Sequence, residues 1–459
     1  MYICVFYALQ RDNMNNKKYD ITISNETGLF YRFALPNILS FILMSSAGIV
    51  DGIFIGKYAG EIALAAINIS YPVFSFIWGL AMMIMVGGAV AAGKYLGEKN
   101  IDKARQIFTK SIFAVAFITI IISLLIYLFN EEIIMMIGGS EKTLPISLEY
   151  INLILPFVIF NTLGYGLSIF ARVDGFPFTA SLALVTGAVI NIVLDALFIA
   201  VFNMGVKGAA YATGISFISG FLIMAVHFAK GKGSLKLSFN FNNMYELFKA
   251  SLNGLSEFLN EISVGITMAL FNVVMMKDAK EEGVAAFTAI NYILWLGNMV
   301  NYAAADSLNP LISTNYGAGK FNRIKKFLQA GIIFTICNGI FIFLLIMFAG
   351  PFLTSLFIND KSSNAFIISL EFMDIIKWAF LLSGINMVFS SYFTAMLRPK
   401  ESAIIAMLRS LIMPVTLLLL LPLYFGKTGI YLAVPISELI TFFAALTLFI
   451  YTKNFLLKR

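Results

Sequence analysis

The sequence predicts an all-α polytopic membrane protein: twelve transmembrane helices in two pseudo-symmetric six-helix bundles around a central cleft. Three observations carry this. Hydrophobic residues make up 59% of the chain and charged ones only 12%, with mean hydropathy +0.87, where a soluble domain is roughly a quarter charged. Twelve apolar segments are each long enough for the ~20 residues that a bilayer-crossing helix needs. The second half of the chain also echoes the first at an offset of about 221 residues.

The elements follow in order. Residues 1–27 begin "MYICVFYALQRDNMNNKKYD", a short apolar stretch without basic residues before it or a small-residue cleavage site after it. This is expected to be an uncleaved, mobile cytoplasmic tail rather than a signal peptide. Spans are expected at roughly 31–56, 63–93, 107–129, 144–170, 178–202 and 207–228, forming an N-lobe over 28–228. Residues 229–246, with "KGKGSLKLSFNFNN", alternate polar and apolar positions and read as a cytoplasmic surface link between lobes. Spans at about 247–276, 284–315, 327–349, 366–393, 403–424 and 429–452 form a C-lobe over 247–459.

The basic residues orient these spans. Lys17, Lys18 and Arg32, then Lys94, Lys99, Lys103 and Arg105, fall on one face of a twelve-span chain. Lys230, Lys232 and Lys236 share it, with Lys320, Arg323, Lys325, Lys326, Arg398, Lys400, Lys453, Lys458 and Arg459. Opposite loops such as "NEEIIMMIGGSEK" and "KDAKEEG" are mixed or acidic. Cytoplasmic loops collect Lys and Arg, so both termini are expected in the cytoplasm. The net charge of +7 then reports topology and anionic lipid rather than nucleic acid.

Composition excludes several chemistries. The two cysteines, Cys4 and Cys337, lie in the tail and in an apolar segment, which leaves no disulfide framework or thiolate metal site. The single histidine, His227, ends an apolar run beside "AKGKGS", where it faces headgroups. A membrane-embedded enzyme would want a His, Cys or serial Asp cluster, and none appears. No "GxxxxGK[ST]" motif supports an ATP-driven pump.

The repeat is visible in three matches. "AAINISY" (65–71) meets "TAINYIL" (288–294), "LGEKNIDKARQIF" (96–108) meets "YGAGKFNRIKKFL" (316–328), and "GVKGAAYATGIS" (205–216) meets "GKTGIYLAVPIS" (426–437). A six-helix unit is even, so the halves share orientation and relate by an axis along the membrane normal. Paired bundles of this kind suit alternating access.

The halves differ in acids. Asp51, in "AGIVDGIFIG", projects onto Asn272, and Asp195, in "INIVLDALFIA", onto Thr416 or Leu417. A carboxylate at membrane depth costs several kcal/mol unless a partner or a proton neutralises it. Asn191 precedes Asp195 by four residues, on the same helical face, and Thr213 follows one span later. Two carboxylates, an amide oxygen and a hydroxyl form a hard-oxygen set suited to Na⁺ or a shared proton. Close carboxylates in low dielectric do not both stay ionised unless a cation intervenes. The plainer reading is that both acids only fix helix packing.

These residues resemble those of the MATE (multidrug and toxic compound extrusion) transporters over nearly the whole chain after residue 28. "LPNILSFILMSSAGIVDGIFIGKYAG" looks like the family's first helix, "LAAINISYPV" its second, "RVDGFP" the end of its fourth and "NIVLDALFI" its fifth-helix motif. The pattern is nearest to the bacterial MepA-like and DinF-like branch. The resemblance implies two six-helix lobes, a bacterial plasma-membrane location, and export of organic, often cationic, aromatic drugs or metabolites in exchange for H⁺ or Na⁺, without a cofactor. It also implies an N-lobe cation site whose motif positions are Asp51, Asn191, Asp195 and Thr213, joined by Asn161. Membrane lipids are the other expected partners, nucleic acid is not one, and the chain is expected to act as a monomer.

Related NorM-type transporters are thought to couple through the C-lobe, with a seventh-helix Glu and a tenth-helix Asp and Tyr. Glu261 fits the first position, but near the second the chain offers the amide Asn386. Asp374, nearer the outer end, is expected to pair with Lys377 or water. Glu261 either attracts cationic substrate or bonds as packing glue. Glu257, Asp306 and Glu438 also lie in or near spans, in cleft-facing or packing roles.

Substrate contacts are expected from flat and polarizable side chains. Candidates are Tyr71, Phe74, Trp78, Met268, Asn272, Tyr292, Trp295 and Asn298, whose stretches match between repeats or approach an acid. The alternative within the same superfamily is a lipid-linked oligosaccharide flippase, which would want cleft arginines for pyrophosphate; this chain has few within its spans.

Overall fold

The computed structural model describes residues 19–358 and 360–456. The expected tail over 1–18, with Cys4, Lys17 and Lys18, lies outside the described residues, as do Lys458 and Arg459. Helices and short connections account for the described chain, and no strand occurs among the described residues.

The helices are α1 (Glu26–Phe54), α2 (Glu61–Gly97), α3 (Ile101–Leu128), a short α4 (Asn130–Met136), α5 (Leu144–Val173), α6 (Pro177–Asp195) and α7 (Gly205–Ala229). After a non-helical link come α8 (Met244–Asn253), α9 (Leu255–Asp306), α10 (Leu308–Gly317), α11 (Phe321–Ser355), α12 (Asn364–Ile376), α13 (Phe380–Ala395), α14 (Pro399–Met407), α15 (Met413–Phe425) and α16 (Lys427–Leu456). Starts obey simple chemistry. The side chains of Asn25, Asn100 and Ser363 accept backbone N–H groups of the first turns of α1, α3 and α12. Pro177 and Pro399, which have no N–H to leave unpaired, open α6 and α14 at matching places in the two halves.

Eleven helices among the described residues are long and apolar enough to cross a membrane. The expected crossing at 366–393 is helical but divided: a 3₁₀ turn at Lys377–Ala379 separates α12 from α13. The break sits where a cation enters an apolar run. Lys377 pairs with Asp374 on the preceding turn and lies over the Phe343 ring. Spans seven and eight are joined almost without a loop, by non-helical φ/ψ at Ala279 and Lys280 alone.

Three π-helical turns interrupt the spans: Ile55–Ala59 after α1, Ala196–Val201 after α6 and Leu408–Ile412 after α14. Each widens the helix by one residue and redirects the side chains beyond it. The Gly60 N–H closes the first on Ile55 O at 3.1 Å, and the Phe202 N–H the second on Leu197 O at 2.9 Å.

Two compact units emerge. One comprises residues up to Gly254 with Pro310–Ile324; the other comprises Leu255–Asn309 and Lys325 onward. The break therefore falls later than the expected 229–246 link, because α8 packs on α2 through glycines. A Cβ on Gly87 would lie 2.1 Å from Ala250 O, and one on Gly254 would lie 2.1 Å from Met83 O. Residues 19–25 also differ from the expected mobile tail. The Tyr19 N–H bonds Gly175 O at 2.9 Å, Arg323 Nη2 donates to Ser24 O at 2.6 Å, and Ile21 is buried. The second unit has an aromatic core, in which Phe271 stacks on Phe287 at 4.8 Å and Phe372 on Tyr431 at 4.6 Å.

Candidate functional site

Asp195 ends α6 and leads directly into a π turn; Asp51 sits on the last turn of α1, just before another. At each junction one N–H is shared between two carbonyls: Ile55 N–H with Asp51 O and Gly52 O, Ala196 N–H with Ile192 O and Val193 O. Ile55 of the first turn and Ile199 of the second are both fully buried in one cluster with Ala63, Tyr150, Ile154, Val206, Ala209 and Ala210. This packing sets both acids against α5. Their carboxylates interact electrostatically with each other, and both act on Tyr150.

Burial makes the pair costly. Asp195 is 0% exposed, and among the described residues neither of its carboxylate oxygens has a hydrogen-bond partner, nor does the buried Asp51 Oδ1. A buried polar atom without a partner costs about 1–3 kcal/mol, and more if charged. Tyr150 is buried and meets Phe74 edge-on at 6.1 Å. The two carboxylates sit beside a cluster of aliphatic and aromatic side chains that includes Tyr150, surroundings which favour whatever neutralises charge there.

The other cation-site candidates form a neighbouring but separate contact. Asn191 Nδ2 donates to Thr213 Oγ1 at 3.4 Å, and no hydrogen bond among the described residues joins that pair to either carboxylate. Asn161, eleven residues beyond Tyr150 on α5, stands about 16 Å further along the helix axis. It makes no side-chain hydrogen bond among the described residues. No group of three or more His, Cys, Asp or Glu side chains suited to hold a metal occurs among the described residues.

In the second unit Glu438 is a packing group. Arg409, on the third π turn, donates Nε to Glu438 Oε1 at 3.0 Å, and Asn386 Nδ2 donates to Glu438 Oε2 at 2.7 Å and to its carbonyl at 2.9 Å. The amide found where NorM-type proteins use a tenth-helix acid thus closes an ion-pair triad. Glu257 accepts from the Tyr302 hydroxyl at 2.6 Å and interacts electrostatically with Asp306 and Glu261. Glu257 and Asp306 lie at the two ends of α9. Half-buried Glu261 has no hydrogen-bond partner among the described residues.

The substrate candidates are distributed over both units. In the first, Trp78 packs on Tyr165 at 4.9 Å, Phe74 shelters Tyr150, and Tyr71 is exposed. In the second, Tyr292 stacks on Phe357 at 5.5 Å and, with Met276 and Thr288, lines a cavity of about 490 Å³. Asn298 Oδ1 accepts from Ser383 at 3.1 Å, Asn272 Oδ1 is buried without a partner, and Met268 and Trp295 are partly exposed. Two participants escaped the sequence reading. Tyr150 carries no local signal beyond being one tyrosine in an apolar helix; Arg409 is a span arginine, visible as such but not as the partner of Glu438.

Comparison with known proteins agrees with this architecture. The family model described as MatE matches residues 36–197 and 258–418, one block in each half. The chain is similar to the multidrug export protein MepA of Staphylococcus aureus, at 25% identity over 425 residues, covering 90% of this chain and 91% of that protein. It superposes on a multidrug resistance MATE family transporter of the MOP superfamily solved outward-facing, with TM-score 0.88 and 23% identity over 95% of this chain and 98% of that one. It also superposes on the Vibrio cholerae MATE transporter VcmN, solved as a mutant, with TM-score 0.86 and 20% identity over 92% and 95% of the two chains. At those identities the two structures speak to the fold. The matched family blocks cover most of the sequence, and the chain belongs to the MatE family of membrane transporters.

Proposed function

We propose that this chain is a secondary active multidrug efflux transporter that exports organic, often cationic and aromatic compounds in exchange for H⁺ or Na⁺, with coupling at Asp51 and Asp195. The observation that carries the reading is Asp195: fully buried, unpartnered at both oxygens, and facing a second acid. A side chain so placed is stable only while something neutralises it. Loss of that ion turns a tolerated group into a costly one, which is the differential a conformational exchange needs. Two repeated bundles suit such an exchange between inward and outward facings.

The donor set favours H⁺ over Na⁺. Asn191 and Thr213 bond each other, leaving two carboxylates among aliphatic groups, and one proton neutralises such a pair while Na⁺ wants a fuller oxygen shell. The relationship to MepA, a multidrug export protein, supports the substrate class. The flippase reading loses support from the half-buried Arg409, because it is already paired with Glu438. The excess of Lys and Arg on one set of loops supports cytoplasmic termini.

The test is drug uptake into proteoliposomes under an imposed ΔpH or an imposed Na⁺ gradient, one at a time. Uptake driven by ΔpH alone is the expected result. Uptake indifferent to both gradients would remove the antiport mechanism, and uptake driven by Na⁺ alone would replace the ion.

A further inference from the structure

The stretch between α7 and α8 is tightly fastened to the first unit. Asp174 accepts the N–H groups of Ser234 and Leu235 at 2.9 and 3.0 Å, and Leu235 is buried. Arg105 Nε donates to Ser234 O at 2.8 Å, the Ser238 N–H bonds Thr109 Oγ1 at 2.8 Å, and buried Lys110 reaches Asn243 O at 3.4 Å. Several side chains of this fastened stretch and of α8 nonetheless stay open: Phe239 is 70% exposed, and Tyr245 and Phe248 on α8 are similarly so.

Two further observations indicate what covers them. Phe239 and Phe241 both meet Phe113 edge-on, at 6.1 and 5.5 Å. Phe113 heads the exposed apolar stripe of α3 that continues through Phe117, Ile120 and Leu124, at helical spacing on a membrane-length helix. The aromatic cluster is therefore an extension of a lipid-facing surface at its loop end. Beside it, Lys230, Lys232, Lys236 and Lys249 are exposed, and none forms an ion pair among the described residues. The local acids are engaged elsewhere, Glu246 by the Tyr95 hydroxyl and Asp174 by backbone. Free lysines bordering exposed aromatic rings match the two ends of one molecule.

We propose that the segment 230–249 is a binding site for anionic phospholipid of the surrounding bilayer, with Lys232, Lys236 and Lys249 meeting the headgroup phosphate and Phe239 and Phe241 meeting the acyl chains. A soluble polyanion would use the lysines but gain nothing from the rings. The site lies outside the acid compartment and does not depend on the transport reading.

The full-length protein in nanodiscs containing phosphatidylglycerol and phosphatidylcholine tests this, with retained lipid counted by native mass spectrometry. The wild type should retain phosphatidylglycerol over phosphatidylcholine by about tenfold, less at high salt. The K232Q/K236Q/K249Q variant should lose that preference, and the F239S/F241S variant should lose retention of both lipids; unchanged thermal unfolding would certify both folds. A preference surviving the lysine variant overturns the proposal. Equal binding of water-soluble glycerol phosphate, or of heparin undiminished by the F239S/F241S change, would assign the lysines to a soluble anion and also overturn it.

Discussion

Asp195 and Asp51, each beside a π turn, interact electrostatically, and among the described residues three of their buried carboxylate oxygens have no hydrogen bond. Structural acids in membrane helices are normally bonded to neighbours; these oxygens find no hydrogen-bond partner among the described residues. Five predictions follow from this and from the contacts around it.

Asp195→Asn should abolish the drug resistance conferred on a sensitive host while leaving expression intact. Thermal stability should hold or rise, since the change removes an unpartnered acid. Minimum inhibitory concentrations beside a melting curve check both halves. Unchanged resistance would remove Asp195 from coupling.

Tyr150→Phe keeps the ring against Phe74 and deletes only the hydroxyl that senses both acids. Stability should change by less than about 1.5 kcal/mol, while the ΔpH-driven uptake rate should fall several-fold. A wild-type rate would make Tyr150 a packing residue alone.

Arg409→Ala leaves Glu438 buried beside Asn386 without its cation. Breaking a buried pair from one side costs about 3–5 kcal/mol, whereas replacing both members by apolar groups is often neutral. Detergent-solubilised R409A should therefore melt well below wild type, and R409M/E438M should recover most of the difference.

Gly87→Val would place a side chain against the Ala250 carbonyl, where even a Cβ stands only 2.1 Å away. Overpacking of this kind costs about 1–3 kcal/mol. Size-exclusion profiles should show reduced monodisperse yield, while Gly265→Ala, which meets nothing within 4 Å, should behave as wild type.

Asp174→Ala removes the acceptor for two backbone N–H groups of the inter-lobe stretch. Hydrogen bonds to a charged group are worth about 1.5–3 kcal/mol each, so the stretch should detach locally. Trypsin should then cut at Lys232 and Lys236 faster than in wild type, before the rest of the chain unfolds.

Much of the fold was legible because hydropathy is a local property. Eleven of the twelve expected crossings appear as helical stretches long and apolar enough to cross a membrane, and the twelfth is broken where Lys377 enters an apolar run. Less of the site was legible. Of the hard-oxygen set read from Asp51, Asn191, Asp195 and Thr213, the Asn191–Thr213 contact is a hydrogen bond and the two acids interact electrostatically. Asp51 and Thr213 come from other helices than Asn191 and Asp195, and no periodicity along one helix records how its neighbours are turned toward it. The end of the tail expected to be mobile is held at Ile21 and Ser24 by Asn315 and Arg323, nearly three hundred positions away in sequence.

By itself, then, the sequence determined the solvent, eleven of the crossings and the presence of two acids in apolar runs, because each depends on residue type and spacing along one helix, and the repeat, because it depends on pattern along the whole chain. The tertiary structure decided which acids are satisfied. Glu438 meets Arg409 and Asn386, whereas Asp51 and Asp195 interact electrostatically with each other and with Tyr150. The reason is physical: neutralising a charge in an apolar interior takes a partner within a few ångströms, and such partners arrive on other helices, rotated into place by packing and by π turns.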